Sequence, residues 1–325
     1  MTEFEVPYLA SDFPSPAPFD MEGSLKVTWE DLLHAAITVG RWRKDVLSHG
    51  RYSVAEVAHR AMCFRAYLDI DDGALRHTSA YRSLDPTEKG LVSYYVGMAA
   101  CKLFAHRCLG VQWLMHISRY EAQWAVTYSG TSRPDLFGCN ASGQWLVAEA
   151  KGRMRTRESL VSTMQQQKSS VASVAGQVPS YRIGTATRFP RGSLALRVVD
   201  PPAKSRAEDV PLNPGAWLLD YYAPIVDLIE SSDPVSEDGG RYAVIPGTDV
   251  QVGLPESTIA MVSDRRKSAN LPRPAPKPSG VAALERVGVS LVEQAHEQDR
   301  PWIAELTASV AQRRFSDGVD VRQVG

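Results

Sequence analysis

Two carboxylates and one lysine are spaced in this sequence so that they could bind a divalent metal ion. Asp135 follows a proline and opens a short apolar segment, whereas Glu149 and Lys151 close the hydrophobic run of residues 145–151. Side chains alternate across a strand, so Glu149 and Lys151 are expected on the same face of this run. Residues 140–143 are turn formers, and they predict a hairpin that brings Asp135 beside Glu149.

Carboxylate oxygens in this arrangement suit Mg²⁺, which takes one or two protein carboxylates and fills its other octahedral positions with waters and phosphate oxygens. Such an ion can activate a water molecule, polarise a phosphodiester and stabilise the leaving oxygen. An ammonium two residues beyond the second acid can hold the attacking water or offset developing negative charge. The alternative interpretation is that Asp135 is a turn residue and that Glu149 and Lys151 are solvent-facing charges on an edge strand. The cost of burying an unpaired charge at the end of so apolar a strand weighs against that alternative.

The pattern Pro134-Asp135 followed by Glu149-Ala150-Lys151 resembles motifs II and III of the PD-(D/E)xK nuclease superfamily, which has the restriction-endonuclease-like fold. The resemblance implies that Asp135 and Glu149 are metal ligands and that the Ala150 carbonyl is a further ligand. It also implies that Lys151 is the catalytic lysine. The implied cofactor is Mg²⁺, for which Mn²⁺ can substitute.

The resemblance also implies two contributions from helices. The superfamily usually adds an acid from its first helix, and Glu88 is the only carboxylate among residues 87–108. Its place in the first turn equally suits a plain charge that the helix dipole favours. Relatives also bring a glutamine or a lysine of the second helix near the site, and Gln166 and Lys168 offer such groups here.

The flanking sequence fits the superfamily's order of a helix, a three-stranded antiparallel sheet, a second helix and a fourth strand. Apolar positions at helical intervals predict the first helix over residues 87–108, and residues 111–117 indicate a strand. Residues 159–174 lack Gly and Pro and predict the second helix, and residues 194–199 supply the closing strand. The predicted class is α/β, a restriction-endonuclease-like core with a mixed central sheet flanked by helices, plus helical N-terminal and small α+β C-terminal additions.

The chain divides by composition into regions around this core. The proline-containing residues 1–23 predict an irregular N-terminal segment, a loose lead without regular secondary structure. Potential caps at Thr28 and Ser53 predict helices over residues 28–68. The predicted regions are a loose lead (1–23), a helical region (24–85), the nuclease core (86–200), an α+β extension (201–270), a proline-rich linker (271–280) and a helical tail (281–325). The extension and tail are expected to hold a helix over 216–229, strands near 242–245 and 250–252, and a helix over 302–313.

The net charge is close to zero, with 36 Lys and Arg against 37 Asp and Glu, but it is unevenly distributed. Residues 151–191 hold eight cations and a single anion, Glu158. Lys and Arg neutralise backbone phosphates and release counterions, so this basic band predicts affinity for nucleic acid. A solvated loop and helix face is the alternative. The predicted nucleic-acid contacts are Arg153, Arg155, Arg157, Gln166 and Lys168.

Other chemistries lack their sequence signatures. The chain has no phosphate-binding loop, no nucleophile elbow, no HExxH helix and no Gly-rich dinucleotide fingerprint. The four cysteines form no CxxC pair, so buried, reduced thiols are expected. Neither a signal region nor an apolar stretch long enough to span a membrane is found, so a cytoplasmic location without membrane partners is expected.

These observations predict a Mg²⁺-dependent endonuclease that hydrolyses phosphodiester bonds of nucleic acid. DNA is a more frequent substrate than RNA in this superfamily, so DNA is the favoured substrate. The same analogy favours a role in phage defence or restriction. A second copy of the chain or a partner protein of a defence system is the expected protein partner. The alternative function is a catalytically inactive nuclease-fold subunit that binds DNA or another protein within a larger defence or repair assembly.

Overall fold

A computed structural model gives the architecture of residues 3–39, 51–117, 134–140, 143–152, 159, 161–162, 171–174, 178–200, 208–210, 214–245, 248, 250–268 and 317–323. The strands are β1 (Glu3–Ser11), β2 (Glu22–Thr28), β3 (Leu68–Asp71), β4 (Ala74–His77), β5 (Val111–His116), β6 (Leu136–Asn140), β7 (Trp145–Lys151), β8 (Val171–Val174), β9 (Tyr181–Arg188), β10 (Ala195–Val199), β11 (Glu208–Val210), β12 (Val235–Glu237), β13 (Gly240–Val244), β14 (Val250–Pro255) and β15 (Asp320–Gln323). The helices are α1 (Trp29–Thr38), α2 (Arg51–Tyr67), α3 (Ser79–Ser83), α4 (Pro86–Leu109), α5 (Pro214–Glu230) and α6 (Glu256–Ser268), with a 3₁₀ turn at Pro190–Gly192. Within these ranges, no helix combines the length and the apolar character needed to cross a membrane.

A mixed nine-stranded sheet forms the centre of the fold. Its strands follow the order β3-β4-β1-β10-β9-β7-β6-β5, and β2 pairs with β1. Strands β5, β6 and β7 form an antiparallel meander, and β9 lies parallel to β7. Helix α4 packs on β5, β7 and β9. The predicted α/β class, with a mixed central sheet flanked by helices, is confirmed.

The N-terminal residues form a strand, so the prediction of a loose lead over residues 1–23 is wrong. Strand β1 pairs with β2 in antiparallel and with β10 in parallel orientation. Its apolar residues Phe4, Val6 and Tyr8 are buried and alternate with exposed positions. This period of two is the strand signal, and Pro7 does not break it because the proline lies on the exposed face.

The region of residues 24–85 contains the two predicted helices but is not wholly helical. Helix α1 starts from a capping box in which Thr28 and Asp31 each accept a hydrogen bond from the other's backbone N–H. Helix α2 begins ahead of the predicted start at Ser53. The prediction missed the β3–β4 hairpin, although its turn, Asp72-Gly73, is a hairpin signal and has positive φ values of 51° and 66°.

The core follows the predicted order, with two corrections. Helix α4 confirms the helix over 87–108, β5 confirms the strand over 111–117, and β10 confirms the strand over 194–199. Strand β9, which lies between β7 and β10, is missing from the prediction. Residues 159 and 161–162 are helical as predicted, but Val171–Val174 form β8, where two valines suit a strand and pair with β11.

The C-terminal extension forms a second sheet, in the order β12-β13-β14-β15. Helix α5 confirms the helix over 216–229, and β13 and β14 confirm the predicted strand pair. Helix α6 and strand β15 were not predicted, and β15 corrects the helical tail of 281–325 at its last residues by pairing with β14. The predicted linker over 271–280 and helix over 302–313 lie outside the described residues.

A buried polar network, here called the Asp317 cluster, attaches the chain before β15 to the core. The Asp317 carboxylate lies 3.0 Å from His34 Nε2 of α1 and 3.4 Å from Lys102 Nζ of α4, and Tyr221 of α5 donates a hydrogen bond to it. All four side chains are almost fully buried. Burial by itself would raise the pKa of Asp317, but the charges of His34 and Lys102 and the hydrogen bonds hold it well below its usual range. The cluster therefore joins three helices to the C-terminal strand.

The four cysteines carry free thiols, as their spacing predicts, and three of them are buried. Burial raises the pKa of Cys63 to about 11 and is the largest of the effects that raise the pKa of Cys101 to about 12. Both thiols are therefore protonated at neutral pH.

Candidate active site

Strand β7 places Glu149 and Lys151 in the interior of the central sheet. It pairs with β6 on one edge and with β9 on the other, so the alternative of an edge strand with two solvent-facing charges is wrong. The strand is apolar because the fold covers both of its faces. The Glu149 side chain has no exposed surface, whereas that of Lys151 is 33% exposed. A glutamate buried so completely needs partners that replace its lost hydration.

The β6–β7 hairpin brings Asp135 against Glu149. Asp135 directly precedes β6, and its backbone N–H donates to Glu149 Oε2 at 3.1 Å. The backbone N–H of Ala150 donates in turn to Asp135 Oδ2, also at 3.1 Å. Main-chain donors therefore hold one oxygen of each carboxylate, and the hairpin itself fixes their relative position.

Lys151 completes the group through an ion pair between its Nζ and Glu149 Oε1. The two oxygens of Glu149 thus face different donors, a backbone N–H and an ammonium. Since the lysine side chain is partly exposed, its ammonium lies between the buried Glu149 carboxylate and solvent. The structure brings together three of the four predicted catalytic residues, Asp135, Glu149 and Lys151.

Two glycines let helix α4 touch the end of β7 directly. A Cβ atom on Gly97 would lie 2.8 Å from Gly152 N, and a Cβ atom on Gly152 would lie 2.1 Å from the Ser93 carbonyl oxygen. Neither position has room for a side chain, so the helix and strand backbones are in contact. This contact fixes the chain immediately after Lys151.

Strand β9 and helix α4 also support the site from the face opposite Glu149. The hydroxyl of Thr185 donates to the Glu149 carbonyl at 3.4 Å, and that of Thr187 donates to the Gly152 carbonyl at 2.7 Å. Burial raises the pKa of Cys101, a hydrogen bond with Thr185 lowers it, and the charges of the two carboxylates raise it further. The thiol therefore stays neutral beside the acidic group.

His116 is a neighbour of the site for which the sequence predicts no role. Its Nδ1 lies 3.3 Å from the Asp135 carbonyl oxygen, and its Nε2 lies 3.4 Å from the hydroxyl of Tyr94 on α4. His116 ends β5 and pairs in register with Leu136, the first residue of β6. The order of strands in an antiparallel meander is the signal that could have found it, because the end of one strand must meet the start of the next.

Glu88 is not brought to the other three residues. Its carboxylate accepts a hydrogen bond from the Asp85 N–H at 3.1 Å, within a capping box at the start of α4. Helix α4 meets the end of β7 at Ser93 and Gly97. An α-helix rises 1.5 Å per residue, so Glu88 lies about 7.5 Å along the axis from the first of these contacts. The geometry therefore favours the capping role of Glu88.

The described residues offer a metal ion two carboxylates. Within them, no group of three or more His, Cys, Asp and Glu side chains is placed to hold an ion. Mg²⁺ needs only one or two protein carboxylates and keeps several waters, so Asp135 and Glu149 fit this ion. The hydrogen bond to Asp135 engages Oδ2 and leaves Oδ1 for such a role. The Ala150 carbonyl as a further ligand stays a prediction.

The residues predicted to contact nucleic acid, Arg153, Arg155, Arg157, Gln166 and Lys168, lie outside the described part of the chain. Val161, in the same stretch of sequence, packs against Ala186 and Val199. Ala186 pairs in register with Lys151, and register partners share a face of the sheet. Val161 therefore covers the same face that carries Lys151.

Comparisons with known proteins supply no relative, since the chain matches no protein-family model, no curated protein and no solved structure.

Proposed function

We propose that the chain is a metal-dependent nuclease that hydrolyses phosphodiester bonds of nucleic acid, DNA foremost, with Asp135, Glu149 and Lys151 as its catalytic group. The observation that carries the proposal is the complete burial of Glu149 between the Asp135 N–H and the Lys151 ammonium. A buried ion pair is a weak source of stability, because desolvation offsets most of the attraction. The complete burial of Glu149 beside a partly exposed lysine instead supports a site that handles a charged ligand.

The order of elements around this group supports a nuclease core of the PD-(D/E)xK type. Helix α4 is followed by the antiparallel strands β5, β6 and β7, by helical residues at 159 and 161–162, by the short strand β8 outside the central sheet, and by β9 parallel to β7. A helix, three strands, a helix and a strand is the order that the sequence resemblance implies. In this interpretation β9, rather than residues 194–199, is the fourth strand.

The three residues have distinct chemical tasks in the proposal. Asp135 and Glu149 would hold Mg²⁺ or Mn²⁺, and their backbone donors keep both carboxylates in position before a substrate arrives. Bound there, the ion supplies Lewis acidity toward the scissile phosphate and a water of lowered pKa. The partly exposed Lys151 ammonium can donate to the attacking water or to a non-bridging oxygen on which negative charge develops.

The test is incubation of the purified chain with supercoiled plasmid, linear duplex, single-stranded DNA and RNA, each with Mg²⁺, Mn²⁺ or EDTA. We expect cleavage that depends on the metal and stops in EDTA. Asp135→Ala and Glu149→Gln should abolish it while circular dichroism shows an intact fold. Cleavage by Asp135→Ala at the parent rate would remove that residue from the site, and no cleavage under any condition would refute the proposal.

Glu88→Gln is the matched control for these variants. Glutamine keeps the capping box and removes only the charge, so we expect normal folding and cleavage at the parent rate. Loss of cleavage without loss of stability would instead give Glu88 the metal-binding role that the sequence resemblance implies.

A catalytically inactive nuclease-fold subunit is the second candidate. It is favoured by the small number of acids at the site, since the described residues join no third carboxylate to Asp135 and Glu149. Such a subunit would bind nucleic acid or a partner protein within a defence or repair assembly. Binding of DNA without cleavage in the same assay would favour it.

A further inference from the structure

Three arginines on β9, on the turn that follows it and on β10 make no ion pair or hydrogen bond through their side chains within the described structure. Arg188 ends β9, Arg191 lies in the 3₁₀ turn that follows, and Arg197 lies in the middle of β10. We call Arg188, Arg191 and Arg197 the arginine rim. Arg188 and Arg191 are exposed, and Arg197 is partly buried.

Strand register places two members of the rim on the face that carries Lys151. Lys151 pairs with Ala186, and Ala186 pairs with Arg197 on the next strand. Lys151 and Arg197 therefore flank the small side chain of Ala186, with their backbones about 10 Å apart. Arg188 lies two residues beyond Ala186 and so on the same face, where β9 continues past the end of β7.

Arg197 has a buried donor that needs an acceptor. Its Nε atom has almost no exposed surface and no hydrogen-bond partner in the described part of the chain. A buried donor left unpaired costs about 1–3 kcal/mol, so an incoming acceptor would be favoured here. Phosphate oxygens are acceptors that match the planar guanidinium group. The direct register partners of Arg197 are Ala186 and Leu9, and one strand further on each side lie Lys151 and Glu22.

Stacked rings hold the turn that carries the two exposed arginines. The Phe189 ring stacks on His77 with their centroids 3.7 Å apart, and His77 stacks on the buried Tyr81 at 3.6 Å. Arg191 has a φ of 54°, a left-handed conformation that costs a non-glycine residue roughly 1–2 kcal/mol. Such strain is common in functional segments that surrounding structure holds in place. The turn therefore presents Arg188 and Arg191 in a fixed arrangement.

Arg182 lies on β9, as Arg188 does, but its side chain has a structural role. Its guanidinium donates to the carbonyl oxygens of Pro179 and Val171 at 3.4 and 3.5 Å. Its backbone N–H donates to Asp200 at 3.2 Å. The guanidinium of Arg182 is bonded to carbonyl oxygens of the fold, whereas Arg188 and Arg191 are exposed.

We infer that the arginine rim binds backbone phosphates of the nucleic-acid substrate next to the phosphate that is cleaved. This inference rests on the proposed nuclease function for the identity of its ligand. It gives the substrate a path past the end of β9, beyond the part of the face that Val161 covers. Contacts to phosphates position a nucleic acid but do not read its bases, so the rim should act on all sequences alike.

Binding measured in EDTA tests the rim separately from cleavage. The probes are fluorescein-labelled DNA of mixed sequence, duplex and single-stranded, followed by fluorescence polarisation at increasing KCl concentrations. Arg188→Gln/Arg191→Gln should bind more weakly and lower the slope of log affinity against log salt by about 1.8 for the duplex, because each phosphate contact contributes about 0.9. The control, Lys26→Gln/Lys267→Gln, removes two exposed cations from β2 and α6 and should keep the parent slope.

Arg197 is tested by two single variants. Arg197→Gln should lower the slope by about 0.9, whereas Arg197→Lys keeps the charge and should keep most of the slope. Equal loss in both variants, with lowered thermal stability, would show a packing role and remove Arg197 from the rim.

The inference is overturned if the folded Arg188→Gln/Arg191→Gln variant keeps the parent slope, or if the control loses as much as this variant does. Its failure is distinct from failure of the proposed function. If the rim controls binding but the parent cuts no substrate, the rim stands and the nuclease proposal falls. If the parent cuts DNA and the rim variants bind as it does, only the rim falls.

Discussion

Replacing Lys151 with methionine should remove an ammonium from a carboxylate that is completely buried. Methionine keeps an unbranched apolar stem but removes the ammonium that pairs with Glu149 Oε1. The Asp135 N–H remains as a donor to Oε2, yet the side chain of Glu149 has no exposed surface through which water could replace the lost cation. The variant should therefore unfold more easily than the parent.

The expected loss follows from the burial of the two partners. Removing one partner of a buried ion pair costs about 3–5 kcal/mol. The Lys151 side chain is 33% exposed, so solvent already screens part of the attraction. We therefore expect a loss of about 3 kcal/mol, at the lower end of that range. Urea unfolding followed by tryptophan fluorescence measures it.

A divalent metal ion offers the same carboxylates a second cation. If Asp135 and Glu149 bind Mg²⁺ or Mn²⁺, the ion should stabilise Lys151→Met by about 2.7 kcal/mol at a concentration of 100 times its dissociation constant. The double variant Lys151→Met/Glu149→Gln lacks both charges of the pair. It should recover much of the lost stability and should respond little to the metal. Urea midpoints in MnCl₂ and in EDTA give both comparisons.

The outcomes separate a metal site from a structural ion pair. A structural pair predicts a loss of stability that metal does not restore, whereas a metal site predicts a loss that metal restores. Lys151→Met as stable as the parent would refute the energetic argument. A loss of stability in Lys151→Met that metal does not reduce would show that Asp135 and Glu149 do not bind the ion.

Two further predictions concern the contacts that hold the site. Gly97→Ala should lower the cleavage rate, because its Cβ would lie 2.8 Å from Gly152 N and would push α4 away from the end of β7. Gly90→Ala on the same helix, where a Cβ would meet nothing within 4 Å, should leave the rate unchanged, and equal rates in both variants would contradict the argument. Asp317→Asn should cost about 3–5 kcal/mol at neutral pH, because it leaves Lys102 buried without its carboxylate. Because the pKa of Asp317 is depressed in the folded state, its contribution to stability is complete above the unfolded pKa of about 3.9 and is lost as the pH falls towards the folded pKa. The urea unfolding free energies of parent and variant should therefore converge in acid. Curves that stay parallel would contradict this.

The candidate site could be predicted from the sequence because its parts are close together along the chain. Asp135 and Glu149 are joined by one hairpin, whose register follows from its turn and from the apolar pattern of its strands. The alternation of side chains then places Glu149 and Lys151 on one face. The starts of helices α1 and α4 are also marked in the local sequence, by the capping boxes that begin at Thr28 and Asp85.

Pairing between distant segments decides the parts that the sequence does not predict. Strand β9 has a weak apolar pattern interrupted by Gly184, and it is a strand because β7 and β10 pair with its two edges. Strand β1 becomes part of the sheet by pairing Tyr8 with Leu196, from the far end of the core. His116 meets Asp135 only through the pairing of β5 with β6. No local pattern of propensity carries these relations, because each strand gains its partners only when the whole sheet forms.

A net charge near zero conceals an order of charges that suits a phosphodiester. Glu149 is buried on β7 and Asp135 is partly exposed beside it, the Lys151 ammonium lies at their border, and Arg188 and Arg197 of the rim lie on the same face of β9 and β10. A uniformly basic surface would hold a nucleic acid in many positions. Fixed spacings between Lys151 and the rim would instead hold neighbouring phosphates so that one phosphodiester lies against the carboxylates. The energy of binding these phosphates would then position the phosphodiester for reaction. In the proposed nuclease, the point of cleavage would therefore be set along the backbone without any base being read.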